Sequence, residues 1–191
     1  NQSLKDLHRL LVTSHTYRQS STHRADYASM DGDNNYLWRA NRQRLDAESL
    51  RDTMLQVSGR LDLTMGGPGF QAFGFKDDHS PHYNYAEHDP DHPQAQRRTI
   101  YRFIVRSVPD PFMTTLDCAD PTISVPRRSE TLTTLQALAM LNNQFVVRMA
   151  EHFARRLQDT HEATDEQIRA AYQLALQRPP TAAELEQLTQ L

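Results

Sequence analysis

"TTLQALAMLNNQFVVRMAEHFARRL", residues 133–157, decides the fold class. Thr133 stands where an N-cap accepts from first-turn amides, and the apolar run behind it has helical spacing. Asn142-Asn143 interrupts that run. The pattern then resumes with Phe145, Met149, Phe153 and Leu157, four apolar side chains on one helical face. Two helices over 134–157, broken near Asn142, are therefore predicted. Downstream, Asp165 opens a helix predicted over 166–176, and Pro179-Pro180 stop it. Thr181 with Glu184 forms a capping box for a further helix from 182 onward.

Working toward the N-terminus, Leu4, Leu7, Leu10 and Leu11 predict a surface helix over 4–13, capped by Ser3 and packed by one face on a core. Residues 14–35 are rich in Ser, Asp, Asn and Gly and read as a loop with a turn of helix. A helix over 47–57 follows, with Asp46 as cap, a stripe of Leu50, Met54 and Val57, and Gly59 closing it in a left-handed conformation. Then the texture changes. Leu61, Leu63 and Met65 alternate before Gly66-Gly67-Pro68-Gly69, and Phe73 and Phe75 after it, which predicts a short β-hairpin. "RRTIYRFIVRS", residues 97–107, fits both periods; a helix is preferred because the chain beyond it is mostly helical. Pro109, Pro111, Pro121 and Pro126 predict an irregular, extended crossing over 107–130. The expected fold is a mainly α single domain over 1–191. Its sub-regions are helical (1–60), loop-rich with a short β-hairpin (61–130) and helical (131–191).

The chain of 191 residues is long enough to bury a core without staples. A net charge of −3, with arginines interleaved among acids, argues against a nucleic-acid partner. Cys118 is the only cysteine, so there is neither a disulfide framework nor a Cys-x-x-Cys-His haem attachment. The apolar runs are too short for a membrane span. No signal peptide is present, and the chain opens at Asn1 and stops at Leu191 within helical patterns. It reads as a fragment of something longer.

Seven stretches occur in order: "DLHRLLVTSHTYRQSS", "NNYLWRANRQRLDAESLRD", "GGPG", "RRTIYRFIVRS", "FMTTLDCADP", "RRSETLTTLQALAMLNN" and "LALQRPPTAAEL". Together they resemble the C-terminal domain of planctomycete-type, cytochrome-c-like exported proteins, the domain of unknown function 1553. The resemblance covers essentially the whole chain. It implies an exported or periplasmic parent with haem bound in an upstream segment, upstream domains of the same chain as partners, and sugar-binding modules as occasional company. It brings no assigned catalytic residues. One small departure is Thr134, where similar sequences often start this helix with Pro.

The densest set of polar donors is "DDHSPHYNYAEHDPDHP", residues 77–93. His79, His82, His88 and His92, with Asp89 or Asp91 as oxygen donor, have spacings that can serve one divalent ion. Pro81, Pro90 and Pro93 equally mark a structural surface loop, with Tyr83 and Tyr85 tucked inward and the histidines bonded to carboxylates. Arg97-Arg98 and Arg127-Arg128 are candidates for gripping an anion or a sulfated sugar. The alternative is an ion-pair network with Asp117, Asp120 and Glu130. Phe70, Tyr83 and Tyr85, with Phe73 and Phe75, are either a recognition surface or the core of the hairpin. Gly66 to Gly69 lacks the strand-and-helix setting of a phosphate loop. Cys118 has no basic partner in sequence and reads as a small buried hydrophobe. The expected function is a non-catalytic binding or scaffolding module, linked to polysaccharide through its loop-rich middle. The alternative is a metal-assisted hydrolase acting on carbohydrate, with ligands from the 79–92 loop.

Overall fold

The computed structural model describes residues 3–190. The chain divides into two compact units, one ending at Arg44 and the other beginning at Leu45.

In the N-terminal unit, α1 (Leu4–Thr13) starts where Ser3 accepts from the Asp6 amide at 3.3 Å. Its boundaries are those the periodicity predicts, but no residue of α1 is buried, so the expected packing of its leucines on a core is not found. α2 (Ala25–Met30) supplies the turn of helix within the polar stretch. Behind it the Trp38 indole donates to the Asp31 carbonyl at 2.9 Å and stacks on Tyr27. Asn34, buried with a left-handed φ of 59°, donates to the Arg39 carbonyl at 2.8 Å. This unit is a polar turn wrapped on one indole.

The C-terminal unit is built on α3 (Ala47–Val57), capped by Asp46, whose carboxylate accepts from Ser49 N–H at 2.7 Å. Its inward face is Ala47, Arg51, Leu55 and Ser58, one position off the predicted stripe of Leu50, Met54 and Val57, which are half-buried. Gly59 does close the helix at a φ of 76°. Ala47 packs with Met113 and Leu116, and Leu50, Phe112, Cys118 and Met140 lean on that cluster. At the other end of α3, Ser58 reaches Met149 Sδ at 3.3 Å, and Arg156 donates to the Gln56 and Val57 carbonyls. A guanidinium there meets the negative end of the helix dipole.

The predicted hairpin about Gly66–Gly69 is not formed. The strands are β1 (Gly74–Asp78) and β2 (Ser80–Asn84), antiparallel, pairing Phe75 with Tyr83 and Lys76 with His82. His79 turns the chain at a φ of 57°. The glycine loop instead lies against 97–102 through single bridges, Asp62 to Arg97 and Phe70 to Arg102. That pairing also overturns the helix preferred for 97–107. Asp52 takes both Thr99 N–H and Thr99 Oγ1, at 2.7 and 2.6 Å, and only a 3-10 turn, Thr99–Tyr101, forms before the chain extends along Phe70.

The crossing over 107–130 is irregular as predicted, except for α4 (Pro111–Thr115), which Asp110 caps. α5 (Thr134–Asn142) carries a full capping box between Thr133 and Gln136. Asn143 ends α5 and caps α6 (Gln144–Thr160), accepting from Phe145 N–H at 2.9 Å, which is the break read from the paired asparagines. α7 (Thr164–Leu176) ends at Gln177 in the left-handed region, and α8 (Ala182–Thr189) carries the Thr181–Glu184 capping box. The architecture is mainly helical with one two-stranded hairpin and a loop-rich middle. Among the described residues no helix is long and apolar enough to cross a membrane.

Candidate functional site

A cleft of about 360 Å³ opens where the loop-rich middle meets the α5–α6 junction. Its size is that of a small-ligand site. One wall is the junction itself, Asn142, Asn143, Gln144 and Phe145; the other is Tyr85, His88, Phe112 and the chain before α4. Arg51, Arg102 and Asp110 also line it.

Arg51 sits on the buried face of α3 because its stem continues the row from Ala47 to Leu55. Its guanidinium donates to the Ala95 carbonyl at 2.5 Å, the Arg97 carbonyl at 3.2 Å and Thr99 Oγ1 at 3.2 Å. The Phe70 and Phe145 rings lie 5.1 and 5.0 Å from it. Burial pushes its pKa down to about 10, against the pull of Asp52, with Arg102 adding like-charge repulsion. It stays charged at neutral pH.

Arg102, whose side chain is only 6% exposed, pairs with Asp110 at 3.2 Å, and its Nε is buried without a partner. The other Asp110 oxygen accepts from Phe112 N–H at 2.9 Å, so this carboxylate both caps α4 and holds Arg102. Tyr85 donates to the Val108 carbonyl at 2.7 Å, and burial, with Asp110 second, raises its pKa. Burial, with Arg51 next, lowers the pKa of His88 and keeps its ring neutral near pH 7. On the far side of the Arg102–Asp110 pair lies a smaller cavity of about 150 Å³, reached by Val105, Met113 and Cys118. Burial and Glu48 raise the Cys118 thiol pKa, away from a reactive thiolate.

The residues singled out from sequence are dispersed. His79 is fully exposed at the hairpin turn, 3.9 Å from Asp78. His82 points from β2, opposite Lys76. His88 is half-buried in the cleft wall. Asp89 accepts from the Asp91 amide at 2.9 Å, and His92 Nδ1 from the Gln94 amide at 3.3 Å. The five predicted donors do not form one set: the hairpin carries the first two away from the rest. Among the described residues no group of three or more His, Cys, Asp or Glu side chains is placed to hold a metal ion.

Asp91 has a different part. It accepts from His152 Nε2 at 2.5 Å and pairs with Arg148, which clasps the loop to α6. Those two donors, His152 first, hold the Asp91 carboxyl below its ordinary pKa.

The arginine pairs also serve the chain. Arg97 gathers the Thr64 and Pro68 carbonyls, at 3.3 and 2.6 Å, together with that of Gly66, and lies 4.0 Å over Tyr101. Arg98 is 3.7 Å from Asp52. Arg128 grips Glu48 with two bonds and approaches Asp46 at 3.9 Å. The acids thus come from α3, not from Asp117, Asp120 and Glu130 as the alternative network had them; Arg127 is exposed. Phe70 is buried at 1% exposure and is core, which removes it from any recognition surface. Tyr83 and Tyr85 are half-buried, edge-on to Phe73.

Sequence reasoning did not single out Arg51, Arg102 or Asp110. A signal existed for Arg51, a charged residue four positions from both Ala47 and Leu55. Asp110 before Pro111 carried a cap signal.

The whole chain, residues 1–191, matches the sequence model of one family. The protein belongs to PSD1, the family of proteins of unknown function DUF1553. For this PSD1 chain no curated protein and no solved structure gives a match. Of the stretches quoted above, "NNYLWRANRQRLDAESLRD" and "RRTIYRFIVRS" contain Arg51 and Arg102, and "FMTTLDCADP" begins two residues after Asp110.

Proposed function

We propose that the C-terminal unit is a non-catalytic binding module whose cleft at the α5–α6 junction receives a sugar unit of a polysaccharide. The observation that carries this reading is the lining. Three amide-bearing residues, a tyrosine, a neutral histidine and two phenylalanines surround about 360 Å³. Amides and aromatic faces suit a ligand with many hydroxyls and apolar C–H surfaces. Asp110, the acid in this wall, accepts from Phe112 N–H on one oxygen and from Arg102 on the other, which gives it a structural part in shaping the cleft. The same reading, resting on the resemblance of the motifs, makes the unit part of an exported protein with upstream domains as partners.

The test is a saccharide panel read by NMR or calorimetry against the whole chain and a Gln144→Ala variant. Gln144 is exposed at the start of α6, so its removal leaves the fold intact. Binding of at least one saccharide that weakens in the variant supports the module. Turnover of a glycan, or binding that Gln144→Ala leaves unchanged, overturns it.

A further inference from the structure

We infer that the ligand spans at least two consecutive neutral sugar units, the second seated in a neighbouring cavity, with His88 between them. The inference rests on the binding reading above and extends its ligand from one unit to a linear chain. A second cavity, of about 410 Å³, adjoins the cleft and is lined by Gln71, Glu87, Asp89, His92 and Gln94 among others. Its size too is that of a small-ligand site. Ala86, His88 and Pro90 line the cleft, whereas Glu87, His88 and Asp89 line the second cavity. His88 has extended backbone, at φ −74° and ψ 126°. An extended chain sends successive side chains to opposite sides. One thickness of chain thus parts the two cavities, and the His88 ring is common to both.

The shared ring is also free to bind. Among the described residues no hydrogen bond engages either ring nitrogen of His88, and neither nitrogen is sealed from solvent. Burial lowers its pKa and keeps the ring neutral near pH 7, so one nitrogen donates and the other accepts. Sugar hydroxyls do both, and a ring with a cavity on each side can bond a unit on either. The second cavity offers polar groups of the same kind as the first. The side-chain amides of Gln71 and Gln94 are exposed and make no hydrogen bond among the described residues. Asn84 takes one oxygen of Glu87, and the Asp91 amide takes one of Asp89, which leaves the other oxygen of each to accept from a hydroxyl. No Lys or Arg lines this cavity among the described residues, so a unit carrying a carboxylate is disfavoured there.

The experiment measures glucose, mannose, xylose and N-acetylglucosamine, each with its linear disaccharide and trisaccharide, against the whole chain by calorimetry. For at least one series the disaccharide is expected to bind about ten-fold tighter than its monosaccharide, the gain of one or two net hydrogen bonds. The trisaccharide should add little to that. Because the length series uses the unaltered protein, no folding defect enters. Gln71→Ala and Gln94→Ala, at exposed positions that line only the second cavity among those described, should each remove most of the disaccharide's gain. His88→Ala, checked by circular dichroism, should weaken the disaccharide at least as much. Monosaccharides that bind as tightly as their disaccharides overturn the inference while the saccharide module stands. A disaccharide gain that survives both glutamine variants also overturns it, since the second unit then lies elsewhere. No binding of any saccharide overturns the module and the inference together.

Discussion

Arg51→Met puts the architecture of the cleft to its hardest test. The substitution keeps the unbranched stem and the packing between Phe70 and Phe145, and removes the guanidinium. Three charge-assisted bonds are lost, to Ala95, Arg97 and Thr99. At about 1.5–3 kcal/mol each their gross contribution is roughly 4.5–9 kcal/mol. Against this stands the cost of burying the charge. A pKa driven from 12.5 to about 10 corresponds to about 3 kcal/mol at about 1.4 kcal/mol per unit. The net expectation is a loss of roughly 2–6 kcal/mol, or about 5–20 °C in the midpoint of a unit this size. Arg51→Lys keeps the burial cost but offers a point charge that cannot span three acceptors, so it should be at least as damaging. The assay has to separate the two units. Trp38, the only tryptophan, lies in the N-terminal unit, so its fluorescence follows that unit. Far-ultraviolet circular dichroism is dominated by α3 to α8, which hold most of the helical residues. A Met variant as stable as the parent would refute the reasoning: desolvation would then outweigh the three bonds.

Three further outcomes are expected. Leu55→Ala, at a site with no exposed surface, should cost about 2–5 kcal/mol in urea unfolding, whereas Leu132→Ala, at 93% exposure, should stay within about 0.5 kcal/mol of the parent. Gly69→Ala should lower the thermal midpoint, because the new Cβ would lie 2.9 Å from the Tyr101 carbonyl and part the glycine loop from its neighbour, at about 1–3 kcal/mol. Asp91→Asn concerns pH. A carboxyl held below its ordinary value of 3.8 stabilises the fold fully above that value and loses the contribution as pH falls through the folded pKa. The gap between the urea midpoints of parent and variant should therefore be full at pH 7 and narrow as pH falls below 3.8; equal midpoints at pH 7 would count against the clasp.

Four helices were legible because two independent signals agreed: apolar periodicity and a cap residue whose bond the structure contains, at Ser3, Asp46, Thr133 and Thr181, whereas α7 starts at Thr164 with no side-chain cap and with Asp165 inside its first turn. The hairpin was misplaced for a reason of chemistry. Turn propensity favoured the glycines at 66–69, yet the reversal is made by His79, a residue without glycine's freedom at positive φ. The glycine loop found different partners because Arg97 draws in three of its carbonyls, an attraction that no local pattern carries. The cleft was hidden for the same reason. Arg51, Arg102 and Asp110 belong to a helix, an ambiguous segment and a proline-rich crossing, and only tertiary packing joins them. His88 was named for metal and stands in the cleft wall instead.

The long reach of α3 sets an order of events during synthesis. Its bonds go to residues far behind it in the chain: Thr99 to Arg51 and Asp52, Arg128 to Glu48, and Arg156 to the Gln56 and Val57 carbonyls. Each partner leaves the ribosome later than the last, and at about 5–20 residues per second the helix waits roughly 5–20 s for Arg156. Within that wait Ala47 first lacks Met113 and Leu116, and Ser58 lacks Met149 for longer. The N-terminal unit has no such delay, since Gln19 meets Leu37 and Asn34 meets Arg39 within its own short span. Translation thus delivers one unit that can close at once, followed by a nascent helix whose core arrives last.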